Sequence, residues 1–188
     1  MYDLEIHRPN IKEYLAYLIQ GLITSVAITF FFENLARGLV TDFFSTQIAG
    51  FLLIVILAPV IEEYTKVYPL FRRHSETARS LIKLGFCSGL GFGISEFIVY
   101  VFFAGVPSYI RLPGLLFHAA STSITASGIS KNQFLRFYAI AVILHSINNF
   151  FAELGEVWFI GGLGTVILTY IFAYRQLSSA EDEYTIDP

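Results

Sequence analysis

The segment FLLIVILAPVIEEYTKVYPLF, residues 51–71, places Glu62, Glu63 and Lys66 inside a run otherwise apolar enough to cross a bilayer. An ionisable side chain at the centre of a membrane helix is unfavourable by roughly 2.5–3.5 kcal/mol on insertion scales, so it is rarely there without a role. Pro59 stands just ahead of the pair and lacks a backbone donor, which predicts a kink in a segment already long for one span. This segment is therefore read as a membrane helix that carries chemistry.

The same pattern recurs on both sides of it. Apolar runs cover about residues 14–32, 44–71, 84–104, 112–129, 134–154 and 157–174. Each is long enough to cross a hydrocarbon core about 30 Å thick as a helix. The fourth is short and suits a tilted or partly re-entrant helix. The 188 residues are 55% apolar and 14% charged, against about 25% charged in an average soluble domain. The reading is an all-α membrane protein: one domain over residues 1–188, built as a bundle of six transmembrane helices with a polar site near the bilayer midplane. An acidic tail, 178–188, closes the chain. Its surroundings are expected to be lipid, and no nucleic-acid partner is expected.

Basic residues give the orientation. With a cytoplasmic start, the inner segments hold Arg8, Lys12, Arg72, Arg73, Arg79, Lys83, Lys131, Arg136 and Arg175, while the outer loops hold only Arg37 and Arg111. The positive-inside rule requires this asymmetry, and it puts both termini in the cytoplasm. A cleaved leader fits poorly, because Asp3 and Glu5 dilute the basic start. The single Cys87 cannot form an internal disulfide and is expected to pack as a small core residue.

Depth then gathers the polar residues. At 1.5 Å per helical residue, Glu62 lies about 15 Å from Arg72 and Glu96 about 20 Å from Lys83. On the same rise His118 lies about 20 Å from Lys131, and His145 about 14 Å from Arg136. Four helices of alternating direction thus bring their polar residues into one layer.

Spacing adds detail within each helix. Glu62 and Lys66 are four apart and can pair, while Glu63 is rotated about 100° from Glu62. The two glutamates cannot aim equally at one atom, so one faces the reaction and the other orients a neighbour. His118, Thr122 and Thr125 share a face, as do His145 and Asn149. Gly85, Gly89 and Gly93 form a stripe that lets helix backbones approach closely, and Glu96 continues it into the bundle.

Taken in order, these residues carry a resemblance. Glu62-Glu63-x-x-Lys66 is an EExxK motif, and Phe92-x-x-x-Glu96 an FxxxE motif in a glycine-rich helix. An isolated helical His118 follows, and then His145-x-x-x-Asn149. The order resembles the PrsW-type intramembrane proteases, of the wider superfamily of CAAX prenyl endopeptidases and bacteriocin-processing proteins. The resemblance covers about residues 58–149. It implies peptide-bond hydrolysis within the bilayer on a transmembrane or lipid-anchored protein, with Glu62, Glu63, Glu96, His118 and His145 as the active-site set and Asn149 as a helper. The CAAX branch fits less well, because it has His where Glu96 stands.

That chemistry needs an activated water, a stabilised oxyanion and an acid for the leaving amine. Three ionised glutamates and one lysine leave a formal charge of −2, which a low-dielectric layer does not tolerate uncompensated. Either protons are taken up or a divalent cation is bound. Zinc suits two histidines and one glutamate, here His118, His145 and Glu96, with a position left for water. Both routes stay open, and Glu62 is preferred over Glu63 as the base. HExxH is absent, so a zincin-type helix is excluded. One alternative is a non-catalytic membrane binding or assembly factor of the same architecture, against which the intact Glu62, Glu63, Glu96, His118 and His145 argue. A proton- or cation-coupled transporter would favour an inverted repeat, and none is visible. Read singly, the same residues have blander roles: Lys66 as a counter-ion, Asn149 as a helix link, the threonines as backbone-bonded, and His7 and His74 as solvated.

Single cysteines in a Cys87→Ser chain test the topology. One at Arg79 should react with an impermeant thiol reagent only from the cytoplasmic side, and one at Gly155 only from the other. Reaction of both from one side would overturn six spans.

Overall fold

The computed structural model describes residues 7–73, 77–154 and 158–180. His74 and nearly all of the acidic tail lie outside the described residues. Among those described there are six helices: α1 (Ile11–Thr41), α2 (Thr46–Arg72), α3 (Ala78–Phe103), α4 (Ser108–Ser130), α5 (Phe134–Glu153) and α6 (Trp158–Ser178). There is no strand among the described residues. By length and composition α1, α2, α3 and α5 are each able to cross a membrane. The protein is an all-α membrane protein.

α4 is the axis of the bundle. Every residue from Phe117 to Ser130 is buried, although the segment is rich in Ser and Thr. Small side chains permit close neighbours on all sides, and the hydroxyls satisfy themselves on the preceding turn. Thr122 donates to the His118 carbonyl at 2.9 Å and Ser123 to the Ala119 carbonyl at 2.9 Å. The helix runs unbroken through Pro113.

The glycine stripe of α3 lies against this axis. A Cβ at Gly89 would collide with the His118 carbonyl oxygen, and one at Gly93 with that of Leu115. The opposite face of α3 meets α1 in the same way, Gly91 on the Leu18 carbonyl and Gly21 on that of Ser88. α1 also joins α2 through hydroxyls: Thr29 and Thr65 Oγ1 are 2.6 Å apart, and Ser25 donates to the Thr65 carbonyl at 2.9 Å. Three helices contain a wider π-helical turn, at Gln20–Ser25, Leu52–Leu57 and Val99–Phe103. The second of these immediately precedes Ala58-Pro59, so the expected bend at the proline appears as a widened turn.

Two expectations change. α1 continues nine residues beyond Phe32, because Glu33 and Arg37 line an internal cavity and do not mark a helix end. Cys87 is half-buried on the wall of an apolar groove with Phe86 and Tyr174, outside the core, because its face of α3 is left uncovered there.

Gly89→Ala should destabilise the bundle by roughly 1–3 kcal/mol through overpacking against backbone. Gly50→Ala, with nothing within 4 Å of its added Cβ, should be near neutral. Unfolding in mixed micelles gives the comparison, and equal stability of the two variants would contradict this packing.

Candidate active site

Glu62 and Glu63 leave α2 on different faces, and their surroundings differ accordingly. Glu63 is fully buried, and its Oε1 gathers three donors: Lys66 Nζ at 2.6 Å, His145 Nδ1 at 2.9 Å and Ser121 Oγ at 3.0 Å. The anticipated Lys66–Glu62 pair is replaced by Lys66–Glu63, because the i, i+3 direction points Lys66 at α4 and His118. Glu62 Oε2 is buried without a hydrogen-bond partner. It lies 3.7 Å from His145 Nε2 and 3.9 Å from His118 Nδ1.

Each histidine is held by its own carboxylate. His145 uses Nδ1 for Glu63, which leaves Nε2 facing Glu62. His118 donates from Nε2 to Glu96 Oε2 at 2.7 Å, and its Nδ1 accepts from Lys66 Nζ at 3.0 Å while facing Glu62. The tautomers follow from these partners: Nδ1–H on His145 and Nε2–H on His118. The two rings stand edge to face, 5.1 Å between centroids, packed against Phe117 and Phe92.

One ligand atom from each of Glu62, His118 and His145 lies within 4.8 Å of the others, a group able to hold a metal ion. Glu96 stands behind His118 in this arrangement, on the far ring nitrogen. The fit rests on an orphaned buried carboxylate oxygen turned toward two ring nitrogens. Carboxylates behind ligating histidines are the usual support of such sites, fixing tautomer and ring angle. A cation there would displace the Lys66 contact to His118 Nδ1, while Lys66 could keep Glu63.

Asn149 lines the cavity that Glu62, Glu96 and His118 share. Its Nδ2 donates to the Ile54 carbonyl at 3.0 Å, in the widened turn before Pro59, where the proline lacks the donor that a continuous helix would supply. It thereby ties α5 to α2. Thr122 and Thr125 bond backbone carbonyls of α4. His7, outside the site, pairs with Glu13 at 3.0 Å, so it is more than a solvated side chain.

A cavity of about 430 Å³ runs from Glu62 and His118 to the end of the bundle where Val106 and Glu153 stand. Glu33, Arg37, Tyr100, Arg111 and Asn148 also line it. Arg111 lies 3.3 Å from Glu96 Oε1 and stacks on Tyr100, 3.6 Å from the ring centroid. Sequence reasoning passed over Ser121, Glu33, Arg37 and Arg111. Ser121 sits one turn from His118, and the two arginines are the only basic residues assigned to the outer side, so these three carried a faint signal and Glu33 none.

A family model described as PrsW family intramembrane metalloprotease matches residues 10–175. No characterised protein and no solved structure matches the chain.

Lys66→Met should cost roughly 3–5 kcal/mol, because it strips a buried carboxylate of its cation. Glu63→Gln with Lys66→Met should cost less than the sum of the single changes. Additive losses in a double-mutant cycle would show the pair to be uncoupled.

Proposed function

The chain belongs to the PrsW family of intramembrane metalloproteases, and from that premise we propose that it hydrolyses a peptide bond in a transmembrane or lipid-anchored protein through water activated by Glu62. One observation carries the assignment to Glu62: its Oε2 is the carboxylate oxygen that faces both inner ring nitrogens and has no hydrogen-bond partner. Glu63 is held through Oε1 by Lys66, Ser121 and His145, and its Oε2, though also without a partner, is not the oxygen paired with a ring nitrogen; Glu96 is held by His118 and Arg111.

In this reading Glu62 presents one oxygen to the imidazoles and keeps the other for water in the cavity. It accepts the water proton as the new C–O bond forms, and returns it to the leaving amine nitrogen as the C–N bond breaks. Glu63 and Glu96 fix the two rings, and Lys66 balances the charge of Glu63 within the bundle. Glu62, His118 and His145 would hold a divalent cation. Two imidazoles and one carboxylate suit zinc, which when bound polarises the carbonyl and acidifies water. Asn149 acts through the helix it anchors.

Orientation belongs to the same proposal, with both termini cytoplasmic. Three contacts support a common inner end: Arg73 to Glu13 at 2.7 Å, Arg79 to the Ala180 carbonyl at 2.9 Å, and Lys131 to Gln176 at 2.5 Å. The cavity then opens at the opposite end.

Purified protein given a panel of membrane-anchored peptides, with and without chelator, tests the reading. Glu62→Gln should lose cleavage by at least about 100-fold, the usual scale for a lost acid–base group, and keep its fold. His118→Ala and His145→Ala should be as inactive and should lose bound zinc by elemental analysis. Wild-type cleavage by both Glu62→Gln and Glu63→Gln would overturn the mechanism. Inactivity with no metal in any preparation would leave Glu62 as an unassisted base.

A further inference from the structure

A second cavity, about 580 Å³ and almost wholly apolar, lies between α1, α2 and α5. Its walls are Ile28 and Phe32 on α1, Val60 and Tyr64 on α2, and Tyr138 on α5. Ile61 lines both this groove and the cavity that holds Glu62, so the two meet at the residue next in sequence to Glu62.

Two contacts hold the groove's walls together. Thr65, at its base, is tied to α1 through Thr29 and Ser25. Tyr138 spends its hydroxyl on the Val60 carbonyl at 2.6 Å, which pins α5 to α2 across the gap. Tyr64, on the groove wall, packs on Phe71, and Phe71 on Phe134 at 4.8 Å, a run of rings that continues past the groove. Phe32, Val60, Tyr64 and Tyr68 remain between 38% and 46% exposed. From Val60 to Tyr68 the exposed face of α2 runs about 12 Å along the helix.

Resting on the protease reading, we infer that this groove docks an apolar transmembrane helix of the substrate and that Ile61 is the sill over which its unwound end reaches Glu62. The argument is continuity. A substrate held in the bilayer has to arrive sideways, and this apolar surface adjoins the reacting carboxylate. A helix keeps its backbone groups paired while in lipid and releases them only where water and polar groups can take over. The catalytic cavity supplies such groups in Asn148, Arg111 and Glu33, whereas the groove offers apolar and aromatic surface suited to side-chain packing.

The test uses the full chain in lipid nanodiscs, inactivated as Glu62→Gln, with benzoylphenylalanine in place of Phe32 or, as a control on the outer face of α6, in place of Leu168. The probe is a single-span Leu/Ala peptide with a central Gly-Pro break. Photo-adducts with the peptide should be at least ten times more abundant from position 32, and Val60→Trp should lower them tenfold. Equal adducts from both positions, or adducts at position 32 with lipid alone, would overturn the proposal. A second readout uses the active chain and one cleavable sequence, either joined to a membrane helix or free. Val60→Trp should lower the ratio of tethered to free cleavage at least tenfold, and an unchanged ratio also overturns it. If the wild-type chain cleaves no peptide while position 32 captures the helix, the protease reading fails and the docking groove stands.

Discussion

Inside a bilayer an ionised carboxylate needs donors to replace water, and Glu63 has three of them on a single oxygen. Those donors come from α2, α4 and α5, so one buried atom holds three helices in register. Lys66 extends the network to His118, and His118 carries it to Glu96 on α3. Removing any member leaves a polar group unpaired in a low-dielectric interior, which couples helix packing to the integrity of the site.

The rest of the bundle makes room for that network. α4 carries small and hydroxylated side chains along its buried half, and α3 meets it with glycines, so the two backbones come close enough for His118 to reach Glu96. Bulkier residues would hold the helices apart and break the contact. The widened turn ahead of Pro59 has the opposite effect, as it exposes a carbonyl that Asn149 takes up. Close approach on one side and a supported irregularity on the other set the angle at which α2 presents Glu62.

Within the site the carboxylates divide their labour. Glu63 and Glu96 each take the outer nitrogen of one histidine, and the inner nitrogens then face Glu62. This arrangement fixes both tautomers and the angle of each ring. The polar cavity reaches Glu62, and the apolar groove meets that cavity at Ile61.

Much of this was legible in the sequence, and the limit has a physical cause. Apolar runs predicted six helices because hydrocarbon thickness dictates their length, and the constant rise per residue placed Glu62, Glu96, His118 and His145 in one layer. The glycine period foretold the close contact of α3 because only small residues permit it. Depth is a one-dimensional quantity, and sequence spacing reads it well. Rotation about each helix axis and the choice of neighbour depend on all the helices packing at once. Only the tertiary structure therefore decided that Lys66 pairs with Glu63, that Glu96 stands behind His118, and that Asn149 serves the Ile54 carbonyl. It also extended α1 through Glu33 and Arg37, because a charged residue ends an apolar run in a sequence but not a helix whose polar face lines a cavity.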